Sequence, residues 1–282
     1  MNIDYYLCGV FSYMKTPWNL WDNVAWRFPK TESDLDVVFV VGAPRSGTTL
    51  VQKVLESHSR MISIEGETGL FSKQNIFDTN RMHFGYDRNK QLDFFRSSSD
   101  IVDFFEKCVL GLEGMEGGKV FIEKTPQHAL YVGFIIKHFT KAKILHVVRD
   151  GRDCFASARR HPEVPQNVNV NSYAKYWRSC VSGPIKEMAH ERVYNVRYED
   201  LVEKPEVEFS KVMHFLDCDF EIQQIDPKVF GVDKRANLEE FKKLNVSINN
   251  SSVSRWKSDL TPKEANIFYQ IAGKELTYYG YS

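Results

Sequence analysis

The chain has 282 residues, 43% hydrophobic and 26% charged, a composition that excludes extended disorder and allows one α/β domain or two smaller ones. Its 37 basic and 37 acidic residues cancel, so no overall field recruits nucleic acid or an anionic membrane, and a small partner with a local basic pocket is expected. Five scattered cysteines, Cys8, Cys108, Cys154, Cys180 and Cys218, show no Cys-x-x-Cys spacing and indicate neither a zinc site nor a disulfide framework.

No apolar run reaches the ~18 residues of a membrane span, and the N-terminus lacks a basic region followed by an apolar stretch, so a cytoplasmic protein is expected. Residues 1–36 are aromatic-rich, with Tyr5, Tyr6, Phe11, Tyr13, Trp18, Trp21, Trp26 and Phe28 interrupted by Pro17 and Pro29. They read as a segment over the core edge or as a wall for an apolar acceptor. Val37–Val41 reads as a strand buried on both faces, and Leu50, Val51, Val54 and Leu55 recur at helical spacing. Met61–Ile64 is a second strand, ending in Glu65-Gly66-Glu67-Thr68. Residues 69–118 are expected to form an acceptor-side insertion, with helices around 69–76 and 100–110 separated by a polar stretch.

Lys119–Ile122 reads as a third strand. It is followed by Glu123-Lys124-Thr125-Pro126, where Thr125 is placed to cap a helix reaching about Phe139. Ile144–Val148 is a fourth strand, leading through Arg149-Asp150-Gly151-Arg152-Asp153 into a helix that ends near Arg160, before Pro162 and Pro165. A long helix over 171–190 precedes a fifth strand, Arg192–Arg197, which runs into Tyr198-Glu199-Asp200-Leu201. Helical pattern returns over 206–216, and Thr261-Pro262-Lys263-Glu264 is a capping box that opens a last helix toward Tyr278. No internal repeat is visible, and residues 1–282 are read as a single domain.

Strands alternating with helices predict an α/β fold, a central, mostly parallel five-stranded sheet with helices on both faces. Ligands collect beyond the carboxyl ends of such strands. Arg45, Glu67, Lys124, Arg149 and Tyr198 come after the five strands in turn, so all are expected on one rim. The first strand enters Gly42-x-x-x-x-Gly47-Thr48-Thr49, which has the spacing of a nucleoside-triphosphate P-loop except that Thr48 replaces the phosphate-binding lysine. Free N–H groups at a helix start attract an anion, but the dipole contributes only about 0.3–1 kcal/mol, so Arg45 is expected to supply charge. Loss of the lysine argues against ordinary ATP or GTP hydrolysis.

Gly42-Ala43-Pro44-Arg45-Ser46-Gly47-Thr48-Thr49-Leu50 resembles the 5′-phosphosulfate loop of sulfotransferases that use 3′-phosphoadenosine 5′-phosphosulfate (PAPS). Val148-Arg149-Asp150-Gly151-Arg152-Asp153, with Ser157 beyond it, resembles the 3′-phosphate motif of that family. Tyr198-Glu199-Asp200-Leu201 and Ser254-Arg255-Trp256-Lys257 resemble further stretches near its cofactor. The likeness is closest to bacterial members and tyrosylprotein sulfotransferases. It implies a P-loop-type three-layer fold, PAPS as donor, adenosine 3′,5′-bisphosphate (PAP) as product, no required metal and a hydroxyl-bearing acceptor.

By the same resemblance, Arg45, Ser46, Gly47, Thr48, Thr49, Arg149, Ser157, Tyr198, Ser254 and Arg255 hold the cofactor, and Arg45 and Lys124 supply catalytic cations. Glu67 falls where the tyrosylprotein branch has its base, although one residue is inserted before it and Gly69 replaces the following arginine. His128 competes for that role because cytosolic members use a histidine just after a Lys-Thr pair; here Pro126 holds that place. His146, inside a strand, reads as a core residue, as does Trp256. A P-loop kinase or hydrolase lacking its lysine, and a nucleotide-binding module without catalysis, are the other readings. The acceptor is open among carbohydrate, lipid, phenol, polyketide and protein tyrosine.

Overall fold

A computed structural model of the protein describes residues 25–72, 84–161, 164, 169–187, 190–226, 228 and 248–281; the aromatic prelude up to residue 24 lies outside them. Strand β1 (Val37–Gly42) is buried along its whole length. Val37, Phe39 and Val41 enter the larger core, while Val38 and Val40 enter a second core on the opposite face. Burial on both faces is why the run is continuously apolar rather than alternating. With β2 (Met61–Ser63), β3 (Val120–Lys124), β4 (Lys143–Val148) and β5 (Val193–Arg197) it forms a five-stranded sheet in the order β2-β3-β1-β4-β5. Every pairing is parallel, as the sequence predicts.

From β1 the chain runs outward to β2, returns to β3 and then crosses to β4 on the other side of β1. The strand order therefore reverses around β1, and the crevice beyond its carboxyl end is where such sheets bind ligands. Helix α1 (Thr48–Glu56) starts directly from that end.

Helices α2 (Arg88–Ser97) and α3 (Ile101–Leu110) come after β2. The first was not expected, because its polar composition hides two local devices. The Asp87 carboxylate accepts the amides of Asn89 and Lys90 as an N-cap, and Phe95 stacks on Phe104 with centroids 4.1 Å apart. Of the helix expected over 69–76, residues 70–72 form a turn instead, and 73–76 lie outside the described residues.

Two boundaries around β3 also move. The strand excludes Lys119 and takes in Glu123 and Lys124; a carboxylate is tolerated there because it is hydrogen-bonded inside the fold. The helix expected over 126–139 is a 3-10 segment, Pro126–Tyr131, followed by α4 (Val132–His138). Thr125 does not cap it, since its hydroxyl donates to Glu123 instead.

Further helices among the described residues are α5 (Gly151–Ala158), α6 (Val170–Glu187), α7 (Tyr198–Glu203), α8 (Pro205–Phe215), α9 (Trp256–Asp259) and α10 (Pro262–Tyr278), with a 3-10 segment at Ile222–Ile225. The predicted capping box at Thr261 and Glu264 is formed. Among the described residues no helix is long and apolar enough to cross a membrane.

Candidate active site

The loop from β1 into α1 is shaped by two positive backbone angles. Gly47, the N-cap of α1, has φ 104°, which L side chains rarely adopt; a Cβ there would also meet Tyr198 Cδ2 at 2.4 Å. Arg45 has φ 71° without being glycine, and its Nε donates to Ser157 Oγ at 3.2 Å. Ser157, in α5, thus joins the cradle at a residue separation that no local spacing could reveal.

Ser46 lies in the bend at 0% exposure, and its Oγ has no hydrogen-bond partner. Buried hydroxyls are nearly always paired, so such an atom, beside the unpaired first amides of a helix, fits an anionic group that completes it. No side chain of the first turn of α1 is acidic, so nothing there repels an anion.

Arg149 comes directly after β4 and is 7% exposed. Its Nη1 donates to the Arg45 carbonyl at 3.2 Å and its Nη2 to the Ser252 carbonyl at 2.5 Å, while Nε is buried without a partner. The guanidinium lies 4.5 Å from the centre of the Tyr198 ring, which also covers Gly47. One arginine therefore joins the β1 loop, the start of α7 and the loop before α9.

That last loop is fastened by Asp153, whose carboxylate accepts from the amides of Ser254 at 2.8 Å and Trp256 at 2.7 Å. Burial pushes the Asp153 carboxyl up despite these bonds and the nearby Arg149 charge. Ser254 has φ 57°, and the Trp256 ring packs 3.9 Å from the Arg152 guanidinium. Arg255 turns toward Asp259 Oδ2 at 3.1 Å.

On the other side of the loop, Lys124 at the end of β3 is paired in register with Val40 of β1. Its Nζ meets Glu67 Oε1 at 2.8 Å, with the lysine side chain 6% and the glutamate 40% exposed. The predicted rim is therefore assembled, with a buried cation beside a solvent-reaching carboxylate. His128 is not on it. The ring is fully buried, with Nδ1 2.9 Å from Glu123 Oε2 and Nε2 accepting the Phe71 amide at 3.2 Å. His146 is buried in β4 with Nδ1 donating to Asn195 Oδ1 at 2.7 Å, the core role expected of it.

Sequence reasoning did not single out Glu123, Asp153 or the Ser252 carbonyl as parts of this assembly. Asp153 sits inside the 3′-phosphate-like motif and could have been flagged there; the other two carry no local signal.

A model of the sulfotransferase family matches residues 37–222. A protein-tyrosine sulfotransferase of Danio rerio is 26% identical over 247 residues, a match that takes in 79% of this chain and 66% of the relative. Among solved structures, the sulfotransferase domain of the Synechococcus PCC 7002 olefin synthase aligns with a TM-score of 0.62 at 20% identity, covering 89% of this chain and 98% of that one. A mouse sulfotransferase complexed with PAP aligns with a TM-score of 0.56 at 15% identity, covering 90% and 88%. At these identities the structural likeness speaks for the fold.

Proposed function

Because the chain belongs to the sulfotransferase family, we propose that it transfers a sulfuryl group from PAPS to a hydroxyl-bearing acceptor in one in-line displacement, with Glu67 as general base. The observation that carries this reading is the pairing of Glu67 with Lys124 across 2.8 Å, at the end of the strand beside the anion cradle. When bound, the donor supplies an activated sulfuryl group on a phosphate leaving group.

The residues present fit that donor. Ser46 Oγ and the first amides of α1 offer donors that lack protein partners, and Arg45 brings charge to the same bend. Arg149 Nε and Ser157 lie on the side of the loop toward α5, where a second phosphate would be held. Tyr198 covers the cradle at Gly47, and the loop that carries Ser254 and Arg255 is fastened beside Arg149 by Asp153.

Glu67 reaches solvent and would take the proton from the acceptor hydroxyl. Lys124 is largely shielded from water, where its charge acts more strongly on negative charge that develops at the leaving oxygen. Holding acceptor, base and cation in line is itself a large part of such catalysis. His128 is not assigned the base role, because its one accepting nitrogen is occupied by the Phe71 amide. Arg45 and Lys124 supply the positive charge, so no metal enters this reading.

PAP should raise the melting temperature, since a ligand that binds only the native state stabilises it by about 2.7 kcal/mol at a hundredfold excess over Kd. Glu67→Gln should lower turnover about 10²- to 10⁴-fold with PAP affinity kept, and turnover of the parent protein should persist in a chelator. A shift with ATP but none with PAP, together with Mg²⁺-dependent phosphate release, would overturn the reading in favour of a nucleotide hydrolase.

A further inference from the structure

Beneath the Glu67–Lys124 pair lies a closed polar cluster inside the larger core. Glu123 is 0% exposed in β3. Its Oε1 accepts the hydroxyls of Thr68 and Thr125, each at 2.7 Å, and its Oε2 faces His128 Nδ1 at 2.9 Å. The same hydroxyls accept main-chain amides: Thr125 Oγ1 takes Gly69 N–H at 3.0 Å, and Thr68 Oγ1 takes Leu70 N–H at 3.3 Å. His128 Nε2 takes Phe71 N–H at 3.2 Å.

These directions fix the protonation pattern. Since Nε2 accepts, it carries no proton, so Nδ1 does, and His128 is a neutral donor to an ionised Glu123. Three donors converge on one carboxylate, and three consecutive amides, of Gly69, Leu70 and Phe71, are gathered by its partners.

The cluster sits directly behind the two reacting side chains. Glu123 immediately precedes Lys124, and Thr68 is the residue after Glu67. Glu67 belongs to a loop between β2 and α2 and has no strand or helix of its own to hold it. The residues just after it are tied to the end of β3 and the segment that follows it: Thr68 to Glu123, Gly69 to Thr125 and Phe71 to His128.

We propose that Glu123, Thr68, Thr125 and His128 form a positioning unit that holds the Glu67 carboxylate against the Lys124 ammonium. The proposal rests on Glu67 being the base. Buried polar groups of this kind are retained where a unique geometry is needed, and a displacement of about 1 Å at a reacting group costs on the order of 10²-fold in rate. The hydrogen bonds described for the four run to one another and to the amides of Gly69, Leu70 and Phe71, so their loss should spare the nucleotide.

The decisive comparison is between Thr68→Val, which keeps the shape and removes the hydroxyl, and Thr68→Ser, which restores it. We expect Thr68→Val to lower kcat roughly 10- to 100-fold with the PAP dissociation constant from calorimetry unchanged within about twofold, and Thr68→Ser to recover most of the rate. His128→Ala should behave as Thr68→Val does. All rates are to be taken well below each variant's melting temperature, and Glu67→Gln is measured alongside. Wild-type rate in Thr68→Val while Glu67→Gln is dead overturns the positioning unit and leaves the base assignment standing. Full rate in Glu67→Gln overturns the base assignment and with it this inference. Parallel loss of rate and PAP affinity in Thr68→Val, or loss of rate in His128→Ala alone, also overturns it.

Discussion

Single atoms distinguish the histidines of this protein more sharply than their neighbours in sequence do. His128 and His146 lie just after or within strands and both are buried, yet one has both ring nitrogens engaged while His146 Nε2 has no partner. Burial, only partly offset by the Asn195 hydrogen bond, pushes His146 down to about 4. The folded protein therefore keeps it neutral at pH values where the unfolded chain, with an ordinary value near 6.5, takes up a proton. Stability from this site is present above pH 6.5 and is lost as pH falls toward 4, by on the order of 3 kcal/mol. His146→Gln retains a donor for Asn195 without a titrating group. Its free energy of unfolding should approach that of the parent by about that amount between pH 6.5 and 4, as read by urea titration; a pH-independent difference would refute the assignment.

At the scale of elements, legibility in the sequence depended on how each element gains its stability. β1 and β4 are buried on both faces, and their apolar runs announce them. The last helix carries a complete capping box, a signal confined to four residues. In contrast, α2 depends on a cap at Asp87 and on Phe95 meeting Phe104, a partner nine residues away. The 3-10 segment after β3 depends on hydroxyls directed to Glu123 rather than to its own first turn. The charged rim was legible because parallel strands deliver the residues at their carboxyl ends to one side, but the network that orients Glu67 was not. A glutamate such as Glu123 reads as loop until its three buried donors are seen.

The start of α5 shows the same dependence on distant packing. A Cβ on Gly151 would come within 2.4 Å of Phe268 Cζ and 2.7 Å of Trp177 Cδ2, and both rings are fully buried. Gly151→Ala must push apart α5, α6 and α10, a kind of overpacking that typically costs about 1–3 kcal/mol. Because Arg149 and Asp153 flank this position, PAP affinity should fall together with the urea midpoint. A midpoint and an affinity both equal to the parent's would show that the helices yield without strain.

Over the whole molecule, the cofactor side of the rim is closed by the far end of the chain. Tyr281 Oη donates to Glu199 Oε2 at 2.7 Å, and the other carboxylate oxygen accepts the Asp150 amide at 3.1 Å. The Arg197 guanidinium lies 5.0 Å from the Tyr281 ring. Residues after α10 are thereby linked, through one glutamate at the start of α7, to the loop that carries Arg149. Burial pushes the Glu199 carboxyl up, although the Asp150 and Tyr281 bonds oppose it, so its donors are held at some cost. Tyr281→Phe leaves one oxygen of a half-buried carboxyl without its donor, a loss of about 1 kcal/mol. It should lower the urea midpoint with the slope unchanged, and weaken PAP on the order of three- to tenfold, or ~1 kcal/mol, as the Asp150 amide loses its fixed acceptor. Tyr278→Phe serves as the control, because Tyr278 is 56% exposed. If Tyr281→Phe loses stability but binds PAP as the parent does, the chain end supports the fold without reaching the site.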